Sequence, residues 1–436
     1  MIKKNIRLII GIFILVLLCS CEKDKYKVTG NNEVLIYYAC GYNNLSGYIK
    51  EDINDLTSGY LPSNLEGDNK LFIYSHLSVN PYNSTTQTQP TLTQVYKDPV
   101  TKKIVRDTLL TLPKTTISAS GETLNEVLKF IRDNNPASKY GLILSSHATG
   151  WLPSGYYANP KDYDYLETSN NKPWSLDEGI GRNEQDGFGH PVAVPYVEPK
   201  YDNPNSPAVK SIGQDKVGSL SYEISIIDLA KAIPMDLEYI LFDMCLMAGI
   251  EIAYELKDKC NYLGFSPTEI LADGFNYKKL SKTLLYSKAD PKQVCDDYYT
   301  YYAAKSGEAQ SATITYIDCR KTKELAKLCS ILFEKYRENL ENIDYHKVQG
   351  YYRSDYHWFY DLRSILENTG VNPQDLTNLD QCLNNAIIYK NSTEKFLEID
   401  IKSYSGLSMY LPARGSNYLN NFYKGLKWNI DTGLVK

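Results

Sequence analysis

Histidine is scarce in this chain, with five in 436 residues, and so is tryptophan, with four. No C-x-x-C pair and no cysteine–histidine cluster with zinc-ligand spacing occurs, which removes the common structural zinc modules. No G-x-S-x-G elbow is present, so a serine hydrolase of the α/β type has no nucleophile turn to use. Basic stripes and polybasic tails are absent, and the formal charge is −5, which argues against nucleic acid as a partner. The only long apolar run, Leu8 to Leu18, is too short for a membrane span.

That run follows Lys3, Lys4 and Arg7 and ends in "LCSC", the layout of an exported chain's signal peptide over residues 1–20. The ending resembles a bacterial lipobox with Cys21 as the lipidated residue, the alternative being an ordinary cleaved signal. A polar tether, 21–33, follows. Lipid attachment at Cys21 would hold the protein to the bacterial outer membrane, on its periplasmic or outer face. Without residues 1–20 the chain has 44 basic and 52 acidic side chains, a formal charge of −8. Seven cysteines remain after Cys21, so an exported chain must leave at least one thiol unpaired.

Beyond the tether, strands and helices alternate. "EVLIYYAC" (33–40), "KLFIYSHL" (70–77), "YGLILSSH" (140–147), "LEYILFD" (237–243) and "ATITYIDC" (312–319) read as strands. "LSGYIKEDINDL" (45–56), "GETLNEVLKFIRDNN" (121–135), "SYEISIIDLAKAI" (221–233) and "LMAGIEIAYELKDK" (246–259) carry helical spacing. Residues 90–112 read as a β-hairpin turning at Asp98-Pro99. The pattern predicts an α/β fold with a mostly parallel sheet covered on both faces. Residues 152–218, rich in Pro, Asn, Asp, Gly and Tyr, have no period and read as a long insert. Residues 321–436 read as a largely helical part with a late strand, "GLSMYLP" (406–412).

In open parallel sheets, reactive groups gather beyond the carboxyl ends of strands. His147 closes one strand and Cys245 lies two residues past another, in front of an expected helix. A thiolate at a helix N-terminus is stabilised, and a neighbouring imidazole supplies the proton transfers of nucleophilic catalysis. Taken singly, each residue is more readily explained by packing; taken together, packing and catalysis explain the pattern equally well.

"LILSSHATGW" (142–151) and "ILFDMCLMAGIEIAYELKD" (240–258) resemble the histidine and cysteine blocks of the clostripain family of cysteine peptidases. "YYACGYNNLSGYIKEDINDL", "SPTEILADGFNY" (266–277) and "YSGLSMYLP" (404–412) extend the likeness over about 34–425. The resemblance implies a caspase-like αβα sandwich, with 34–320 as catalytic domain, and a cysteine endopeptidase that cleaves after Arg, then Lys. It implies His147 as general base and acid and Cys245 as nucleophile. The oxyanion hole would be the backbone N–H groups of Cys245 and Ala148. Asp243 and Asp273 are its candidates for the charge of the substrate pocket, although Asp243 could instead cap the helix expected after it. The family has glycine where this chain has Ala148. A pseudoenzyme that binds peptides or glycans is therefore the alternative, should that position need a positive φ.

Some members are cut between the two blocks, where Lys161, Lys172, Arg182, Lys200, Lys210 and Lys216 are candidate sites. No cofactor is required. Calcium supports some relatives, but "NEQDG" (183–187) matches no defined calcium loop. The expected partners are Arg- or Lys-containing proteins or peptides and the membrane, with the protein acting as a monomer.

Overall fold

The computed structural model describes residues 32–79, 88–157, 160–161, 192–195, 215–354 and 357–436. Residues 1–20, Cys21, most of the tether, "NEQDG", Lys172, Arg182, Lys200 and Lys210 lie outside the described residues.

Five parallel strands make the centre of a nine-stranded sheet. They are β1 (Glu33–Gly41), β2 (Lys70–Leu77), β5 (Lys139–Ser145), β9 (Leu237–Asp243) and β10 (Cys260–Phe265). Their order is β10-β9-β5-β1-β2. β1 is buried along almost its whole length, as an unbroken apolar run should be when helices cover both faces. On one side the sheet continues antiparallel through the hairpin of β3 (Thr91–Lys97) and β4 (Ile104–Thr111). The Asp98 carboxylate there accepts the Thr101 N–H at 2.6 Å, closing the expected turn.

On the other side lie β11 (Thr313–Asp318) and β13 (Ile387–Ser392), both antiparallel to their neighbours. β10 and β13 have no counterpart among the strands expected from sequence, and β13 brings a segment from beyond residue 320 into the main sheet. Within the expected insert, β6 (Val192–Pro195) and β7 (Asp215–Val217) pair with β8 (Leu220–Glu223), just beyond it, in a small antiparallel sheet.

Helix α1 (Ser46–Ser58) follows β1, and α2 (Gly121–Asn134) precedes β5. Ser120 caps α2 by accepting the Thr123 N–H, and Leu124, Val127, Leu128 and Ile131 are its buried face, as their spacing requires. The expected helix over 221–233 resolves into β8 and a shorter α3 (Ile226–Ala232) capped by Ser225. Gly141 pairs with Tyr239 across β5 and β9. A Cβ at 141 would lie 2.1 Å from the tyrosine ring, so a larger residue there would have to displace that ring.

Candidate active site

β5 and β9 are adjacent and parallel, and their last paired residues are Ser145 and Asp243. His147 and Cys245 each lie two residues beyond that pair, so neighbouring strands deliver them to the same edge of the sheet. A sequence suggests that two strands end in His and Cys; that the strands are neighbours in register is a structural fact.

The turn carrying Cys245 differs from the one expected. The helix begins at Ile250, not Leu246: α4 spans Ile250–Leu256, with Gly249 as its N-cap. Cys245 therefore sits in a tight turn, and the helix-terminus stabilisation of its thiolate does not apply. Asp243 likewise is not the cap of this helix, whose N-cap is Gly249. Leu246, directly after the cysteine, has φ +61°, a left-handed conformation that costs a non-glycine residue roughly 1–2 kcal/mol. Leu246 donates its N–H to Thr268 O at 2.9 Å and Ala248 donates to Ser266 O at 2.9 Å. These bonds hold the turn against residues 266–270. The Cys245 sulfur accepts the Ile270 N–H at 3.1 Å and lies 3.7 Å from the Ile270 carbonyl, to which its S–H can donate, so this residue fixes the thiol in the turn.

Burial first, then the Asp215 carboxylate, pushes the Cys40 thiol well above the usual range. Burial raises Cys295, Cys319, Cys329 and Cys382 as well. All seven described cysteines are free thiols, which meets and exceeds the expectation of one. Among the histidines, burial pushes His357 down to about 3, leaving it neutral on a stacked Tyr360.

His147 is 5% exposed, and its Nε2 lies 2.5 Å from Asn44 Oδ1, in the loop after β1. Ser146 donates to Cys40 O at 2.6 Å and ties the histidine loop to that same strand end. Ala148 does not have a positive φ, so replacing the family's glycine strains nothing at that position. The glycine that this loop does need is Gly150. Its φ is +66°, and a Cβ there would lie 2.8 Å from Leu246 O.

Asp243 is fully buried and accepts hydrogen bonds from Tyr277 OH at 2.7 Å and Ser145 Oγ at 3.1 Å. Burial, followed by the Asp243 charge, holds the Tyr277 hydroxyl far above its usual range. Asp273 is exposed, in the turn that runs from Leu271 to Gly274.

Cys245 has no exposed surface, and the cavity beside His147, Ala148, Met244 and Met247 holds about 70 Å³. Ligand pockets occupy roughly 300–1,000 Å³, so the cavity bounded by the described residues is smaller than one.

Two buried carboxylates that sequence reasoning did not single out brace this edge. Glu269, next to Ile270, forms a bidentate pair with Arg353 at 2.7 and 3.0 Å. Glu251, in the first turn of α4, accepts the Tyr410 N–H at 2.8 Å and Tyr423 OH at 2.7 Å. Trp151 packs edge-on against the rings of both tyrosines, so the tryptophan of "HATGW" joins the histidine loop to the C-terminal segment.

Burial pushes the Glu251 carboxyl up to about 7, against the opposing pull of the Tyr410 and Tyr423 donors. A folded value above the unfolded one gives stability that is full below about 4.5 and is lost as pH rises through about 7. Glu251→Gln should remove that slope. Its stability relative to wild type should rise by about 3 kcal/mol between those limits, because each tenfold change in proton affinity is worth about 1.36 kcal/mol. Denaturant titrations at pH 4.5, 6 and 8 check this, and a difference that does not change with pH contradicts it.

Among the described residues, no group of three or more His, Cys, Asp or Glu is arranged to hold a metal ion. Nor is any helix among them long and apolar enough to cross a membrane.

A family model described as the clostripain family, peptidase C11, matches residues 37–178 and 199–432. The chain belongs to the clostripain family. It is a cysteine peptidase of caspase-like fold, and peptidases of this family act without a required cofactor. It is similar to the X-ray structure of an inactive zymogen C11 protease from Parabacteroides distasonis. The two share 26% identity with a TM-score of 0.69, over 93% of this chain and 99% of the other. A secreted C11 cysteine protease from Bacteroides thetaiotaomicron, solved with an irreversible peptide inhibitor, is 20% identical. Its TM-score is 0.67, over 92% of this chain and 99% of that one, a likeness of fold. A search of curated proteins finds no match.

Proposed function

We propose that this clostripain-family peptidase is an exported, lipid-anchored endopeptidase that cleaves after Arg, then Lys, through a His147/Cys245 dyad. The observation that carries the reading is the register of β5 and β9, which sets both residues two positions beyond the pair Ser145 and Asp243. His147 takes the thiol proton, and the Cys245 sulfur attacks the scissile carbonyl carbon. The N–H groups of Cys245 and Ala148 hold the oxyanion, each such donor being worth roughly 3–4 kcal/mol. His147 then protonates the leaving amine, and water hydrolyses the thioester by the reverse proton route.

The small cavity and the fully buried sulfur favour an inactive precursor that is opened by cleavage between the two blocks. Lys161 and Lys216 are the candidate sites among the described residues. Such a precursor accounts for the burial of Cys245 without a pseudoenzyme. Cys21 is the proposed lipid attachment point, and the secreted relative supports export. Labelled palmitate should enter the wild-type chain and not Cys21→Ser; label in that variant contradicts the anchor.

Asp243, with Asp273 as its second candidate, supplies the pocket charge in this reading. Asp243→Asn keeps the size and removes the charge, and a buried cation left without its partner costs about 3–5 kcal/mol. Selectivity for Arg over an uncharged residue should then fall by two to three powers of ten, at about 1.4 kcal/mol per factor of ten. Fluorogenic peptides differing only before the scissile bond measure this. An equal loss on every substrate means that Asp243 supports the turn through Tyr277 and Ser145, and the pocket charge then belongs to Asp273.

A further inference from the structure

We infer that Asn44 is a positioning residue for the peptidase reaction: its side-chain carbonyl holds His147 as the Nε2–H tautomer and leaves Nδ1 to move the proton. The inference rests on the reading of His147 as base. Asn44 Oδ1 stands 2.5 Å from Nε2 across 103 residues of sequence. A carbonyl oxygen only accepts, so the imidazole nitrogen facing it carries the proton and the other nitrogen carries the lone pair.

Both sides of this contact are held firmly. Asn43 donates its side-chain amide to Cys40 O at 3.3 Å and accepts the Leu45 N–H at 2.8 Å, which fixes the loop around Asn44. On the other side, Ser146 donates to that same Cys40 carbonyl, immediately before His147. One carbonyl at the end of β1 therefore registers the asparagine loop against the histidine loop. In the reaction, the Cys245 S–H proton passes to Nδ1 as sulfur bonds to the scissile carbon. Nε2–H stays donated to Asn44 while the ring is cationic. Nδ1 then gives its proton to the leaving amine, which restores the neutral ring. An oriented carbonyl stabilises the imidazolium without taking its proton.

Three variants and one spectrum test this. Asn44→Ala should lower kcat by roughly 10–100-fold, the usual cost of losing a partner that orients a reactive imidazole, with KM within about twofold. Asn44→Asp keeps the acceptor and should retain most of kcat. Its added charge should move the limb of kcat/KM set by His147 to higher pH by about one unit. Asn44→Leu, similar in shape, should behave like the alanine variant. A merely structural role predicts a lower melting temperature in all three and no displaced limb in the aspartate variant. Ala or Leu variants within twofold of wild type would overturn the proposal.

The ring nitrogens of the ¹⁵N-histidine-labelled chain decide the matter apart from peptidase activity. Nε2 of His147 should be the protonated nitrogen in wild type and lose that preference in Asn44→Ala. A protonated Nδ1 in wild type contradicts the proposal even in an active enzyme. A wild-type chain that stays without peptidase activity after cleavage within 152–218 would sink the proposed function, and the spectrum would still decide Asn44.

Discussion

Cys245→Ala reduces peptidase activity to background while the chain stays folded. Replacing the nucleophile removes the sulfur placed to form the acyl intermediate, and loss of a nucleophile in a comparable site costs on the order of 10⁶ in kcat. The fold should tolerate the change because alanine fits the same buried turn, whose bonds from Leu246 and Ala248 to Thr268 and Ser266 are main-chain bonds. The lost Ile270 N–H to sulfur contact is worth roughly 1 kcal/mol. Turnover retained in a folded Cys245→Ala chain would remove the nucleophile assignment, and Cys40, at the end of β1, would be next to examine. Its thiol is held high by burial and by Asp215, so that outcome would also require Asp215 to move.

His147→Ala lowers kcat by roughly 10²–10⁴, the contribution of a positioned general acid and base. The loss should be smaller than that of the nucleophile, because the Ile270 N–H and the oxyanion donors remain. Alkylation of Cys245 by a simple haloacetamide should slow as well, since the thiolate loses its counter-ion. A variant within a few-fold of wild type in both assays contradicts the dyad. His357 is no substitute: its ring is held neutral down to about 3 and stacks on Tyr360.

The residues proposed to carry the chemistry were legible because strands ending on His147 and before Cys245 are local signals, and "FDMCLM" resembles the family's cysteine block. Four of the five central strands were equally plain, being apolar runs. What stayed hidden is non-local or conformational. The helix spacing after Cys245 is genuine, yet Leu246 turns left-handed and delays the helix to Ile250, and no side-chain pattern announces a positive φ on leucine. β10, "CNYLGF", escapes because it follows α4 after three residues and contains Gly264. β13, "IIYKNS", is half-exposed at the sheet edge and lies within the part read as largely helical.

Asn44 stands in "YNNLSG", but its role depends on meeting a histidine 103 residues away. The same holds for Glu251 with Tyr410 and Tyr423, and for Glu269 with Arg353. Such pairs carry no spacing signal. The effect of Ala148 is decided by geometry, since the left-handed glycine of that loop is Gly150.

The most direct measurement is intact-mass and peptide mapping of the exported chain after cleavage within 152–218 and exposure to a peptidyl electrophile ending in arginine. The account predicts a single adduct on Cys245, lost in Cys245→Ala, slowed in His147→Ala, and absent from the uncleaved chain, whose sulfur is buried. An adduct on another cysteine, or none on the cleaved wild-type chain, would contradict it.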